Sequence, residues 1–289
     1  MMSNIATNMN GKTCVITGST SGIGKYTAIG LAKLGARVVI LGRDQNRLND
    51  VLEEIKSVTD NSDIHAHKVD LSSFEDVRSL AKTIQENYPC VDVLINNAGT
   101  FHTDYTLSVD NIEMQFAVNH LSHFLLTNLL LEHIKKSEQG RIINVSSGFH
   151  YVGRIHFKDV NLSKRYNGLV AYAQSKAANV LFTNELARKL EGTGVTANSL
   201  HPGRIKTHMG DKYAKGIYKL GWILFKPFMF TEEQGAKTSI YLATDKELHD
   251  TTGKYFVNSK RRRASRLSRN EIVAERLWVL SAEMVGLIS

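Results

Sequence analysis

Short apolar runs alternate with longer segments of helical periodicity along most of the chain. Runs such as 38–41 and 93–95 are apolar at every position, which is typical of strands that helices cover on both faces. Between these runs, apolar residues recur at intervals of three and four positions, which predicts helices with one buried face. Strands and helices that alternate in this way predict βαβ units and therefore a parallel sheet.

The predicted elements follow the order of a doubly wound α/β fold of the Rossmann type, with helices on both faces of a parallel sheet. No stretch rich in proline, glycine and serine divides the chain. We therefore expect a single domain over 11–289, preceded by a flexible N-terminus over 1–10. The predicted strands span 12–17, 37–41, 64–69, 92–95, 141–145, 194–200 and 254–257, and the predicted helices span 23–34, 44–57, 73–87, 106–134, 171–190, 232–243 and about 270–285.

Composition narrows the classes of protein that fit the chain. It is 42% hydrophobic and 22% charged, which is typical of a folded globular protein. We find neither a signal peptide nor 18 consecutive apolar residues, and so expect no secretion signal and no transmembrane segment. Cys14 and Cys90 do not have the paired spacing of a metal site, and we expect a reducing compartment and a cytoplasmic location.

A formal net charge of +8 raises the question of an anionic partner. Much of the excess lies in 260–269, which lacks the interleaved aromatic residues of a nucleic-acid-binding surface, so we expect a solvated loop and no nucleic-acid partner. The following tail helix has an apolar stripe, which favours packing on its own domain or on a second copy in a homo-oligomer. A basic run beside such a helix also leaves a peripheral membrane contact open. The stripe consists of Ile272, Leu277, Leu280 and Met284.

A glycine-rich turn lies between the first predicted strand and the first predicted helix. Residues 12–24 read KTCVITGSTSGIG, with glycine at 18, 22 and 24. Glycine permits a tight turn and a close approach of the backbone to a ligand, and the helix N-terminus offers free N–H groups to a pyrophosphate. Because strand, glycines and helix occur together, the segment predicts a dinucleotide-binding turn rather than an unliganded one.

The end of the second strand indicates which dinucleotide is preferred. An acidic residue there would accept hydrogen bonds from the ribose of NAD, but this chain has Leu41-Gly42-Arg43. The guanidinium of Arg43 suits the 2′-phosphate of NADP, and Asp44 suits the N-cap of the next helix. We therefore predict NADP in preference to NAD; the alternative is that Arg43 only points into solvent.

Tyr172 and Lys176 place a phenol and an ammonium four positions apart, on one face of a helix. A neighbouring positive charge favours the phenolate and brings proton transfer closer to neutral pH. Such a pair is also common on helix surfaces. Its place after the predicted strand 141–145 puts it near the carboxyl edge of the sheet, where ligands bind in this type of fold. We interpret the pair as candidate acid/base chemistry.

Several motifs between about residues 11 and 257 follow one order, and five longer segments accompany them. The motifs are Thr17-Gly18…Gly22-Ile23-Gly24, Asn96-Asn97-Ala98-Gly99, Asn119, Ser146-Ser147, Tyr172…Lys176 and Pro202-Gly203…Thr207. The segments are VNHLSHFLLT at 118–127, NVSSGFH at 144–150, GRIHF at 153–157, AYAQSKAANVLFTNELAR at 171–188 and AERLW at 274–278. By the motifs the chain resembles the short-chain dehydrogenase/reductases, and by the segments it resembles their retinol dehydrogenase branch.

The resemblance implies roles for individual residues. Tyr172 is the implied acid/base, and Ser147 hydrogen-bonds the substrate oxygen, with Ser146 as the alternative serine. Lys176 holds the nicotinamide ribose and lowers the pKa of the tyrosine, and Asn119 anchors a water that links Lys176 to solvent. A helix cap is the alternative role for Asp70. The implied cofactor contacts are Gly18, Ser21, Gly22, Ile23, Gly24, Arg43, Asp70, Asn97, Tyr172, Lys176 and Thr207.

The implied activity is an NADP(H)-dependent interconversion of an alcohol and an aldehyde or ketone. The small-molecule substrate is expected to be apolar or retinoid-like, and the aromatic-rich segment 216–230, within a variable flap at 208–230, is either a lid over it or a packing surface. His120 with His123 and His65 with His67 invite a metal site, but no third ligand has a supporting spacing, so we expect no metal. The alternative function is a non-catalytic NADP(H)-sensing or scaffold protein. Such a protein has no need of proton transfer, so the presence of Ser147, Tyr172 and Lys176 together favours the enzyme.

Overall fold

The structure is a computed structural model, and it describes residues 8–203 and 230–288. Its strands are β1 (Thr13–Thr17), β2 (Arg37–Gly42), β3 (Ile64–Lys68), β4 (Val93–Asn96), β5 (Arg141–Val145), β6 (Thr196–His201), β7 (Tyr255–Val257) and β8 (Lys260–Arg262). Its α-helices are α1 (Gly22–Ala32), α2 (Gln45–Thr59), α3 (Phe74–Asn87), α4 (Met114–Phe116), α5 (Ser122–Ile134), α6 (Gly168–Lys189), α7 (Glu232–Thr244) and α8 (Glu271–Met284). A π-helical stretch, Ala117–Leu121, joins α4 to α5, and 3-10 turns lie at Gly148–Tyr151, Lys246–Leu248 and Leu267–Arg269.

The strands form one sheet in the order β3-β2-β1-β4-β5-β6-β7-β8. Strands β1 to β7 are parallel, and β8 is antiparallel to β7. The chain first winds outward from β1 to β3 and then returns to place β4 beside β1. This reversal of direction opens a crevice beyond the carboxyl ends of β1 and β4, which is where ligands bind in doubly wound sheets.

Two hydrophobic cores cover the two faces of the sheet. Along β1, Val15 packs into one core, whereas its neighbours Cys14 and Ile16 pack into the other. This alternation follows from the two-residue period of a strand. The first core contains residues of α3, α5, α6 and α8, and the second contains residues of α1, α2 and α7. The predicted doubly wound fold is therefore confirmed.

The predicted strands lie within two residues of observed ones, and β8 was not predicted. The expected helix 106–134 begins only at Met114. Leu107 and Glu113 form an antiparallel bridge instead, around a turn in which Asn111 has a φ of 60°. Glu113 then accepts from the backbone N–H groups of Gln115 and Phe116, which caps the helix there.

Both described ends of the chain differ from the sequence-based expectation. The flexible N-terminus expected over 1–10 is packed at its end, because Met9 is buried and its N–H donates to the Leu34 carbonyl at 2.8 Å. In α8, Leu277 is buried as predicted, but Ile272 is 78% exposed, and Ala274 and Ser281 are buried instead. The buried face of α8 therefore overlaps the predicted stripe at Leu277 and Met284 but does not include Ile272. In the described ranges, no helix combines the length and hydropathy needed to cross a bilayer.

Candidate active site

The glycine turn after β1 is packed so closely that added side-chain atoms would collide with it. Gly18 has a φ of 63°, and a Cβ there would lie 2.8 Å from Cα of Ala98. A Cβ on Gly24 would overlap the Gly18 carbonyl and the side-chain amide of Asn97. Only glycine lets the turn fold back on the segment after β4 in this way.

The N-terminus of α1 lacks the cap that the neighbouring helices have. Asp44, Ser73 and Asn167 each accept from backbone N–H groups at the starts of α2, α3 and α6. Ser21, at the start of α1, makes no such bond among the described residues, and the first turn of α1 contains no acidic residue. No described side chain caps these N–H groups, so they and the positive end of the helix dipole can bind an anion; the Glu232 carboxylate is nearby, with Oε1 3.5 Å from the position of a Cβ on Gly22. This arrangement fits the pyrophosphate of a dinucleotide.

Thr17 and Asn97 hold the glycine turn against the segment after β4. The Thr17 hydroxyl oxygen accepts from the backbone N–H groups of Asn97 and Ala98, each at 2.9 Å. In return, the side-chain amide of Asn97 donates to the carbonyls of Thr17 and Gly18, at 2.9 and 3.1 Å. The Asn97 side chain thus stabilises the glycine turn. Gly22 and Ile23 follow the turn and are the first two residues of α1.

The residues expected near the adenosine half of the cofactor lie at the ends of β2 and β3. Arg43 is exposed just after β2, and its charge contributes to lowering the pKa of His102, which burial lowers most. Asp44 caps α2, as expected. Asp70 is exposed, and its carboxylate accepts from the N–H and hydroxyl of Ser72. The alternative role of Asp70 as a helix cap is wrong, because Ser73 caps α3.

Ser147, Tyr172 and Lys176 come together at the carboxyl edge of the sheet. Ser147 follows β5, and its side chain lies beside the Tyr172 phenol, whose pKa it acts to lower. Nζ of Lys176 donates to the Val145 carbonyl at 3.2 Å and lies 5.6 Å from the centre of the Tyr172 ring. Ser146 is directed elsewhere, since its hydroxyl donates to the Lys176 carbonyl at 2.7 Å. Of the two candidate serines, Ser147 is therefore the one beside the phenol.

Asn119 lies in the π-helical stretch between α4 and α5, a type of helical irregularity that is frequent at functional sites. Its side chain accepts from the Thr100 N–H at 2.7 Å and donates to the Thr100 carbonyl and to Oγ of Ser175, both at 3.0 Å. A Cβ on Gly99 would lie 3.4 Å from Nζ of Lys176 and 3.5 Å from Oδ1 of Asn119. Gly99 therefore leaves the space between these two side chains free.

Burial controls the ionisation of the two candidate proton-transfer groups. It lowers the pKa of Lys176 to about 8. It also raises the pKa of Tyr172 above the ordinary value, and the neighbouring Ser147 side chain, which acts to lower this pKa, opposes the shift only in part. The expectation that Lys176 lowers the pKa of this tyrosine stays a prediction, because Lys176 is not among the groups that shift the Tyr172 pKa in the described geometry. The ammonium is directed to the Val145 carbonyl, and desolvation of the phenol dominates.

Four further residues lie around the site to which the sequence analysis assigned no role in it. The rings of Phe101 and Phe149 meet the Tyr172 ring edge-on, at centroid distances of 5.8 and 5.6 Å. His150 bridges two distant segments, because its Nδ1 bonds the Ser147 carbonyl at 2.7 Å and its Nε2 accepts from the Ser265 N–H at 3.2 Å. His123 bonds Thr17 and Asn119. No spacing rule connects a lone aromatic or imidazole to a partner so far away in the chain.

Some predicted features lie outside the described residues or have other partners. Thr207 and nearly all of the segments 208–230 and 216–230 are outside the described ranges. The histidines that invited a metal site are bonded within the protein, His65 to Asp63 and His67 to Tyr88. Among the described residues, no group of three or more His, Cys, Asp or Glu side chains is arranged to hold a metal ion.

Comparison with known proteins agrees with this geometry. The profile of the family described as short chain dehydrogenase matches residues 12–217. The chain belongs to the short-chain dehydrogenases. Within this family it is 44% identical to retinol dehydrogenase 12 of Mus musculus, over 96% of this chain and 87% of that protein. It is also 44% identical to retinol dehydrogenase 13 of Homo sapiens, over 96% of this chain and 85% of that protein.

Solved structures show the same fold for this short-chain dehydrogenase. An uncharacterised protein from Mycobacterium paratuberculosis matches with a TM-score of 0.79 and 31% identity, over 97% of this chain and 95% of that one. A protein from Beutenbergia cavernae, described as an NAD(P)-dependent gluconate 5-dehydrogenase with bound NADP, matches with a TM-score of 0.72 and 26% identity, over 87% of this chain and 96% of that one. The dehydrogenase is thus an oxidoreductase of the retinol dehydrogenase branch.

Proposed function

We propose that this short-chain dehydrogenase interconverts an apolar alcohol with its aldehyde or ketone, with NADP(H) as cofactor and Tyr172 as general acid/base. The observation that carries the proposal is the Tyr172 phenol, which lies beside Ser147 and is met in T-shaped contacts by the rings of Phe101 and Phe149. This arrangement holds a proton donor beside apolar rings, at the carboxyl edge of the sheet where the crevice lies.

The chemistry of these side chains suits carbonyl reduction. A phenol with a raised pKa stays protonated at neutral pH, so Tyr172 is in the form that donates a proton to a developing alkoxide. The Ser147 hydroxyl is a second donor to the same substrate oxygen. NADPH, when bound, supplies the hydride. Lys176, with a pKa of about 8, keeps its positive charge at neutral pH and stabilises negative charge on the phenol oxygen in the reverse reaction.

The proposed preference for NADP over NAD is argued from Arg43, which directly follows β2. Arg43 is exposed and reaches solvent beyond the second strand, where the 2′-phosphate of the cofactor would lie. A guanidinium can bond a phosphate through two N–H groups at once, whereas it offers no acceptor to a free ribose hydroxyl. The Beutenbergia cavernae neighbour holds NADP, which is consistent with this preference. Gly18, Ser21, Gly22, Ile23, Gly24, Asp70, Asn97 and Thr207 are proposed as further cofactor contacts.

The substrate class follows from the aromatic edges around Tyr172 and from the relatives. Phe101 and Phe149 present apolar surface beside the phenol, and Phe149 is 42% exposed there. Such surface favours an apolar carbonyl compound over a charged or sugar-like one. The relatives named retinol dehydrogenase take their name from an apolar alcohol. We therefore propose a retinoid-like substrate for this chain. Peripheral membrane contact, a homo-oligomer, a cytoplasmic location and a single domain over 11–289 stay predictions.

The test is a screen of apolar aldehydes and ketones for NADPH oxidation, followed by Tyr172→Phe. The variant removes only the hydroxyl, so we expect turnover to fall by about a thousandfold or more while NADPH affinity stays within about twofold. Tyr88→Phe is the matched control, because Tyr88 is a buried tyrosine that lies before β4, at the opposite edge of the sheet. Substantial turnover by Tyr172→Phe contradicts the proposal. Tight NADPH binding without turnover of any carbonyl compound favours the sensing or scaffold protein instead.

A further inference from the structure

His123 bonds two segments of the candidate active site at the same time. It lies in the first turn of α5 and is buried. Its Nδ1 is 3.1 Å from the Asn119 carbonyl oxygen, and its Nε2 is 2.9 Å from the Thr17 hydroxyl oxygen. One imidazole therefore connects the residue before the glycine turn to the π-helical stretch that carries Asn119.

The chemistry of the partners determines which ring nitrogen carries the proton. The Asn119 carbonyl can only accept, so Nδ1 of His123 must donate to it. Burial lowers the pKa of His123 to about 3, so the ring is neutral and Nε2 is an acceptor. The Thr17 hydroxyl must then donate to Nε2, at a shorter distance than the 3.4 Å that separates it from the Ile95 carbonyl.

This direction of donation matters for the segment after β4. Since the Thr17 proton points to His123, the lone pairs of its oxygen are free to accept from the N–H groups of Asn97 and Ala98. Without an acceptor at Nε2, the hydroxyl would turn toward the Ile95 carbonyl and move its lone pairs away from those N–H groups. His123 thus orients a hydroxyl that fixes the backbone against which the glycine turn packs.

We propose that His123 is a positioning residue that holds the cofactor-binding turn through Thr17 and the proton-transfer end of the site through the Asn119 carbonyl. It contacts neither the phenol nor the glycine turn, and acts through these two partners. The inference rests on the proposed function for its kinetic consequences. Its predicted effects on cofactor affinity and on amide hydrogen exchange depend only on the fold and on binding of a dinucleotide, not on the proposed reaction.

Two conservative substitutions separate the two bonds. In His123→Asn, the side-chain amide reaches the position of Nδ1 and keeps the donor to Asn119, but nothing replaces the acceptor for Thr17. In His123→Gln, the side-chain oxygen reaches the position of Nε2 and keeps the acceptor for Thr17, but the donor to Asn119 is lost. His133→Gln is the matched control, because His133 is also buried on α5 and bonds a backbone carbonyl, that of Tyr88, away from the site.

Three measurements follow on the full-length variants: NADPH affinity by fluorescence titration, the kcat at saturating NADPH with its pH profile, and hydrogen exchange of the Asn97 and Ala98 amides. For His123→Asn we expect NADPH affinity to fall about tenfold and both amides to exchange about tenfold faster, with kcat largely kept. For His123→Gln we expect near-normal affinity and exchange, a kcat about tenfold lower, and a shifted alkaline limb of its pH profile.

Equal effects of the two variants on all three measurements, in proportion to their loss of thermal stability, would mean that His123 only fills space in the core. Unchanged affinity and exchange in His123→Asn would also overturn the proposal. If the unmodified protein turns over no carbonyl compound, the proposed function fails, but NADPH titration and amide exchange still decide the role of His123 at Thr17. His133→Gln should match the unmodified protein in all three measurements.

Discussion

The two sides of the crevice between β1 and β4 are built in different ways. On the nucleotide side, glycines bring the backbone of the turn into direct contact with the segment after β4, and a Cβ on Gly24 has no room. On the catalytic side, side chains reach groups in distant parts of the chain: Ser147 lies beside Tyr172, and His150 accepts from the Ser265 backbone N–H. The close backbone packing of the nucleotide side should tolerate almost no substitution, whereas the side-chain contacts of the catalytic side can change one at a time. We therefore expect substitutions that alter substrate preference to lie on the catalytic side.

The largest effect is expected from Gly24→Ala on the nucleotide side. The new methyl group would overlap the Gly18 carbonyl and the Asn97 amide, so the turn must open. We expect NADPH affinity to fall by more than about a hundredfold, measured by fluorescence titration. Gly192→Ala is the control, because it adds the same methyl group where a Cβ meets nothing within 4 Å, so that any effect there comes from its φ of 78° and not from a collision. Near-normal affinity in Gly24→Ala would remove the contrast between the two sides.

Arg43→Ala tests the same side at a side chain instead of the backbone. If the guanidinium bonds the 2′-phosphate, NADPH affinity should fall by about ten- to a hundredfold, which corresponds to the loss of one or two charge-assisted hydrogen bonds. NADH affinity should change by less than about twofold. Equal losses of affinity for the two cofactors would show that Arg43 does not bind the 2′-phosphate. Arg47→Ala is the control, because Arg47 is also an exposed arginine and lies on α2.

His150→Leu tests the catalytic side. It removes the bonds to the Ser147 carbonyl and the Ser265 N–H but keeps a buried apolar group. We expect kcat/KM for an apolar aldehyde to fall about tenfold, because Ser147 loses its support, while NADPH affinity stays unchanged. Tyr151→Phe removes only the neighbouring bond from the Tyr151 hydroxyl to the Arg263 carbonyl and should have a smaller effect. A loss of NADPH affinity in His150→Leu would contradict the separation of the two sides.

The smallest effect concerns the free energy of unfolding at acidic pH. His120 and His123, which are buried on the catalytic side, should both contribute to it. Burial lowers the pKa of each to about 3 from the ordinary 6.5. Between these values the unfolded chain binds more protons than the folded one, so the free energy of unfolding falls as the pH falls through this window. His120→Gln should reduce this slope by up to about 1.4 kcal/mol per pH unit, measured by urea unfolding between pH 7 and 5. An unchanged slope would show that His120 titrates normally.

Much of the nucleotide side was predictable from the sequence, because its motifs are local. Glycines, strand and helix follow one another within residues 12–24, and each has a backbone reason to be there. The pairing of Tyr172 with Lys176 was predictable as well, since helical spacing alone brings them to one face. What spacing could not predict was their ionisation, because burial depends on which elements surround the helix.

The sequence by itself determined the order of strands and helices, the parallel sheet and the position of the candidate site, since hydrophobic period and glycine placement act over a few residues. Only the tertiary structure decided which side chains meet across the sheet edge. It selected Ser147 over Ser146, joined His150 to Ser265 and His123 to Thr17, and placed Ile272 in solvent. Such contacts link residues far apart in the chain, and their direction depends on packing that no local pattern records.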